Sequence, residues 1–347
     1  MNRRSLLCGA AALPFLAASA MAQQATVTLV AYSGIFQDRY TAAVVEPFMK
    51  ANPDIKVVYA GAPNSAQMLG AARAQKASPQ ADVIIMDIAV SKAATDEGLF
   101  EKIDEKNVPN VADLYPNARS PDIAGVAVTF DNLVMIYNSE AIKTAPTSLA
   151  ALADPANKGQ VAIPGFPDIQ GLSLVMILDK ANGGGGVASK FEKGVDAMAP
   201  IAPNVQTWDP KPDVYTPIIN GQANIGIGWN ARSQVNSDAS GGKLKAVIPS
   251  EGSVFQINTI NLVKGAPQAA AAAKFVNYAL GPEAQKAFTE SMFYGPTNAK
   301  APVSEAAAAR TALRAIDRMI PVDWIAVAKV RDAVGEQWRR KVLPLSR

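Results

Sequence analysis

The sequence predicts an α/β protein in two lobes, one inserted into the other and joined by two crossover strands. Three observations carry this. Between residues 27 and 97, short apolar runs alternate with helical segments in the order β-α-β-α-β-α, which implies a parallel sheet with right-handed crossovers. A second α/β stretch begins near residue 160. Around that stretch the chain turns extended twice, at Val126–Asn138 and at Val254–Val263, far enough to pass from one lobe to another.

Taken in order, Val27–Ala31 reads as the first strand, and a helix over about 38–51 ends at Asn52-Pro53, where proline cannot continue it. Lys56–Ala60 is the second strand, followed by a helix over about 65–76 that stops before Ser78-Pro79. Asp82–Met86 is a continuous apolar run, as expected for a buried parallel strand, and a helix over about 90–97 ends at Gly98. Val126–Thr129 and Leu133–Asn138 form the first crossing, with a break expected at Phe130-Asp131-Asn132. The inserted lobe then supplies a strand at Gln160–Ile163, helices at about 170–182 and 187–199 around a Gly183–Gly186 turn, and a strand at Ile225–Trp229. Ala246–Ile248 and Val254–Val263 read together as the return crossing. Helices are expected at about 267–280, 282–291, 305–319 and 322–341, the alanine runs near 269–273 and 306–309 favouring them. The expected division is residues 23–130 and 256–300 in one lobe and 131–255 in the other, with 301–347 packed on the second lobe. Two sheets joined by strand hinges leave a cleft, the preferred place for a ligand.

Residues 1–22 have the form of a secretory signal. Arg3 and Arg4 precede an apolar run from Leu6 to Ala18, and Ala20-Met21-Ala22 offers small residues for cleavage. The run is too short to span a bilayer of ~30 Å. Arg3-Arg4 followed by Leu6-Leu7 also resembles a twin-arginine export signal, so the route stays open. The expected location is the periplasm. The only cysteine, Cys8, lies inside this segment, so the mature chain has no disulfide or thiolate chemistry.

Removing the signal leaves 31 basic against 30 acidic residues, since Arg3 and Arg4 go from the 33. Such a balance argues against nucleic acid as a partner. Histidine is absent, which excludes a Ser-His-Asp triad, a His-bearing zinc site and a Cys-His dyad. No metal or cofactor is expected.

A colinear set of short matches then places the chain beside a known family. Pro249-Ser250-Glu251-Gly252-Ser253-Val254-Phe255, Ala272–Leu280, Pro282-Glu283 and Tyr294-Gly295-Pro296-Thr297-Asn298 carry it at the C-terminal side. Phe48 with Ile55-Lys56-Val57, Ala81-Asp82-Val83-Ile84, Glu97-Gly98-Leu99-Phe100, Leu149–Leu152 with Lys158-Gly159, and Asn224–Asn230 carry it earlier. Together they resemble the spermidine/putrescine-type solute-binding proteins of ABC importers (extracellular solute-binding family 1). The resemblance implies a type II periplasmic-binding-protein fold, a monomer that closes on a small solute, and a permease with its ATPase as partners.

Carried over position by position, the resemblance implies a pocket of Tyr32, Ser33, Asp87, Asp168, Gln170, Trp229, Gln256, Asn258 and Tyr294. Tyr32, Trp229 and Tyr294 keep the aromatic character that stacks on a methylene chain. The pattern departs at Asn258, where the family carries an amine-binding Asp, at Gln256 in place of Trp, and at Ala89 in place of an aromatic. Losing a carboxylate disfavours a second buried ammonium, because an unpaired buried ion costs several kcal/mol. Arg232 is placed to meet a carboxylate with two parallel bonds. The expected ligand is therefore a small polar solute with at most one strong cation: an amino acid, an opine-like compound, a phosphonate or a mono-amine. A polyamine remains the alternative.

The same residues have plainer readings. Trp229 and the tyrosines also suit core packing, Asp87 suits a helix cap, and Arg232 suits a solvated surface charge. Trp208-Asp209-Pro210 suits a rim loop, and Trp324 and Trp338 suit packing of the last helices. Gly183–Gly186 lacks the Lys-Ser/Thr of a nucleotide loop and reads as a turn. Two further functions were weighed. Ferric-ion binding lacks a Tyr-Tyr pair, and a hydrolase or lyase using Asp131, Asp168 or Asp209 lacks a spacing that sets two carboxylates together.

Overall fold

The computed structural model describes residues 24–346; the signal segment and Cys8 lie outside them. Strand β1 (Ala25–Tyr32) leads into a helical stretch of α1 (Ile35–Tyr40), a π turn over Thr41–Val45 and α2 (Glu46–Ala51). Then follow β2 (Ile55–Ala62), α3 (Ser65–Ala74), β3 (Val83–Asp87) and α4 (Ile88–Asp96). After the short β4 (Phe100–Glu101) comes β5 (Val126–Asn138), buried along all 13 residues.

The inserted part holds β6 (Val161–Ala162), α5 (Ile169–Ala181), α6 (Glu192–Asp196), β7 (Val205–Thr207), α7 (Tyr215–Ile219), β8 (Ile225–Trp229), α8 (Asn230–Ala239) and β9 (Leu244–Val247). The chain returns through β10 (Ser253–Val263) to α9 (Ala269–Ala279) and α10 (Pro282–Met292). It finishes with α11 (Glu305–Ala308), β11 (Met319–Ile320) and α12 (Trp324–Lys341).

The strand order is β2-β1-β3-β10-β5-β8-β6-β7. β1 is parallel to β2 and β3, and β6 is parallel to β7 and β8. β5 stands between the two sets: its first half pairs antiparallel with β10 and its second half with β8. One apolar cluster gathers Leu29, Phe36, Phe48, Val126, Ile260 and Phe275; a second gathers Leu133, Met135, Val161, Leu174, Ile225 and Trp338. β5 therefore feeds side chains to both cores.

The structure corrects four expectations. β5 does not break at Asp131-Asn132, because the polar side chains find partners: Asp131 accepts from Ala231 N, a hundred positions away, and Asn132 Nδ2 donates to the neighbouring Leu133 carbonyl. Ala246–Ile248 is not part of the return crossing, since β9 pairs with the second half of β5. The helix expected over 187–199 splits at Lys190 and Phe191, both at positive φ. The helix expected over 305–319 gives way to α11, a 3-10 stretch kinked at Ala315, and β11, which pairs with the start of β10.

The Gly183–Gly186 turn has a structural cause. Asp179, 1 % exposed, accepts from Gly186 N at 2.9 Å and Gly194 N at 3.1 Å. Gly183 and Gly186 adopt positive φ to bring the chain round. Asp179→Ala is expected to lower the unfolding free energy by about 2 kcal/mol, read by urea denaturation, because it strands two backbone donors.

Candidate functional site

Several of the candidate residues stand at the carboxyl ends of parallel strands, the ends at which open α/β sheets bind ligands. From the first set come Tyr32 at the end of β1 and Asp87 at the end of β3. The Tyr32 hydroxyl lies 2.8 Å from Ser65 Oγ and donates to Asn258 Oδ1 at 3.0 Å. Ser65 Oγ accepts from Asp87 N at 3.0 Å, and Tyr59 donates to the Tyr32 carbonyl at 2.7 Å. Asp87 caps α4 by accepting from Ala89 N at 2.9 Å. Burial holds its carboxyl above the ordinary range, opposed by hydrogen bonds from Ala89, Gln256 and Val90 and by the charge of Arg331. Ser33 is exposed beside this wall.

β10 forms the floor. Asn258, 1 % exposed, is opposite Asp87 in register; its Oδ1 also accepts from Gln256 Nε2 at 2.8 Å, and its Nδ2 donates to Thr129 Oγ1 at 2.9 Å. The pairing slips between Asn258 and Thr259, a bulge of the kind that re-aims side chains near sites. Asn258 thus lies beneath the surface and holds Tyr32 and Gln256 in place. Tyr294 is stacked on Phe288 at 5.5 Å and meets Phe36 edge-on at 5.8 Å, while its hydroxyl has no hydrogen bond among the described residues.

The remaining candidates come from the inserted part. Half-buried Trp229 ends β8, its backbone N–H donating to Tyr215 Oη at 3.1 Å. Arg232 stands in the first turn of α8, exposed to solvent and without a salt bridge among the described residues. Its charge acts on Tyr294, Tyr215, Asp131 and Asp213. Asp131 is buried on β5; one oxygen accepts from Asn132 N at 2.9 Å and from Ala231 N at 3.0 Å. Burial pushes its carboxyl up to about 7, against the pull of those N–H groups and of Arg232. Asp168 caps α5 by accepting from Gln170 N at 2.7 Å, and Gln170 Oε1 is buried with no partner among the described residues. A buried acceptor without a donor is the kind of atom a ligand satisfies.

The structure thus groups Tyr32, Asp87 and Gln256 through Asn258, and Trp229, Arg232 and Tyr294 around Tyr215 and Asp131. Asp168 and Gln170 stand apart from both groups at the start of α5. Trp208 turns away: it donates to Ser346 Oγ at 2.7 Å and meets Trp338 edge-on at 4.9 Å. Trp324 is also spoken for, donating to the Phe255 carbonyl at 2.9 Å. Sequence reasoning missed Ser65, which reads only as a helix start, and Tyr215, which sits in a short helix without a periodic pattern.

Charged groups of both signs and aromatic faces, gathered where two sets of parallel strands end, define a protein that binds a small polar solute. The chain belongs to the family of bacterial extracellular solute-binding proteins, whose sequence profile matches residues 43–315. It is 27% identical over 295 residues to the gamma-aminobutyric acid-binding protein of Pseudomonas aeruginosa, covering 81% of this chain and 80% of that one. It is 25% identical to the spermidine/putrescine-binding periplasmic protein of Salmonella typhimurium, covering 86% and 84%. An extracellular solute-binding protein from Bordetella parapertussis shares the fold with a TM-score of 0.77 at 23% identity, covering 91% of this chain and 98% of that chain.

Proposed function

We propose that this chain captures a small zwitterion with separated charges, an ω-amino acid of the 4-aminobutanoate kind, and delivers it to an ABC permease and its ATPase. It works as an exported, non-catalytic monomer. The observation that carries the reading is a carboxylate and a cation from different parts of the chain, Asp87 at the end of β3 and Arg232 in the first turn of α8, the latter without a salt bridge among the described residues, with Tyr32 feeling the charge of both. Asp87 receives the ammonium, Arg232 the carboxylate, and Trp229, Tyr32 and Tyr294 flank the methylenes between them. Asp168 and Gln170, with Ser33, border the entrance, and Gln256 and Asn258 support the floor. The relative named for gamma-aminobutyric acid favours this class over a diamine.

The lobes that close are residues 23–130 with 256–300, and residues 131–255, turning on β5 and β10. A ligand that prefers the closed form shifts the population toward it. Isothermal titration with 4-aminobutanoate, 1,4-diaminobutane and glutarate tests the proposal. Heat is expected from the first at stoichiometric binding and little from the others. Tight binding of the diamine with none of the amino acid would overturn it.

A further inference from the structure

Helix α12 brings a cation, Arg331, to the start of α5. Arg331 lies on α12, which packs against α6 of the inserted part and also against α4. Its Nη2 donates to the Pro167 carbonyl at 2.7 Å, and its guanidinium sits 6.0 Å from the centre of the Phe166 ring. One turn further on, Gly335 lets the helix lie flush on that ring: a Cβ there would stand 2.5 Å from it. Pro167 is followed at once by Asp168, the cap of α5. On the other side, Ile88 and Ala89, the residues after Asp87, pack against the apolar cluster to which Trp324 and Val327 of α12 belong. Arg331 is thereby held beside the Asp168 cap of α5, on a helix that also touches α4, which Asp87 caps. It forms no salt bridge with either carboxylate among the described residues, and its charge acts on both.

We infer that Arg331 is a selectivity residue that stands in for the second ammonium of a diamine. Two carboxylates that share the field of one cation, Asp87 at the start of α4 and Asp168 at the start of α5, would suit a dication in its absence. With the Arg331 guanidinium anchored on Pro167 and acting on both, a single net negative charge is left for the ligand. A second ammonium then meets a like charge, which raises its cost as repulsion between unit charges does at short range. The inference deepens the zwitterion reading and rests on it.

Arg331→Gln removes the charge from an exposed helix position, and Arg331→Lys keeps it. Titration of each with 1,4-diaminobutane and 4-aminobutanoate should show preference for the amino acid falling about tenfold or more in R331Q, the scale of one charge contact, and staying near the parent value in R331K. An unchanged preference in R331Q, or the same loss in both variants, would overturn the inference. A ligand-free readout separates this from the zwitterion reading: carbon-13 titration of the Asp87 and Asp168 carboxyls. Their midpoints should rise in R331Q and hold in R331K; midpoints that stay put in R331Q reject the inference. If the parent takes neither probe, the zwitterion reading fails, and the carboxyl midpoints still decide the role of Arg331.

Discussion

Arg232→Ala is expected to weaken binding of 4-aminobutanoate about 100-fold, roughly 2.7 kcal/mol, with little change in melting temperature. The size follows from the geometry. Arg232 has no salt bridge among the described residues, so its guanidinium loses no internal partner when it turns to a carboxylate. Charge-assisted, forked bonds are the strong kind. Arg232→Lys should recover part of the loss, because an ammonium supplies charge without the planar fork. The side chain is solvent-exposed, so stability should hold, and calorimetric titration beside a thermal melt separates the two effects. A loss smaller than about threefold in the alanine variant would remove Arg232 from the ligand's contacts.

The second large effect concerns pH. The Asp131 carboxyl is pushed up to about 7 in the folded protein from an ordinary value of 3.8. The folded state therefore binds this proton more tightly than the unfolded chain does. Its contribution to stability is full below about pH 4, drains away as pH rises toward 7, and is gone above that. At about 1.4 kcal/mol per unit, the interval is worth on the order of 4 kcal/mol. Asp131→Asn should abolish this dependence while keeping the fold, since both N–H groups bond to a single oxygen that Asn retains. Urea unfolding of parent and variant at pH 4.5 and 7.5 checks it: the parent should lose stability relative to the variant as pH rises. Parallel behaviour of the two proteins would mean that Asp131 titrates normally.

Much of the scaffold was legible because it rests on local chemistry. The apolar run at Val83–Met86 could only be a buried strand, and Asn52-Pro53 could only end a helix. The polar residues within β5 misled, because the sequence does not show that Ala231, a hundred positions away, supplies the donor Asp131 needs. Lys190 and Phe191 carry no sign of positive φ, since neither is a residue that favours it. The alanine-rich region after residue 305 promised a continuous helix by propensity. Pairing of β11 with β10 overrides that preference. At the site, strand ends such as Tyr32, Asp87 and Trp229 stood out by position. Arg331 did not: it is an exposed residue of α12, and only tertiary packing brings it beside Pro167 and the start of α5.

The place of β10 has a further consequence. It is among the last strands in the chain, yet it fills the gap between β3 and β5. A nascent or truncated polypeptide ending before residue 253 leaves both of those strands with a bare edge where β10 belongs, so β1, β2 and β3 lack their join to β5 until the inserted part has been made. Maturation is therefore not vectorial from the amino terminus. A fragment ending just before residue 253 should be sticky and protease-sensitive, and adding the missing C-terminal piece separately is the natural way to rescue it.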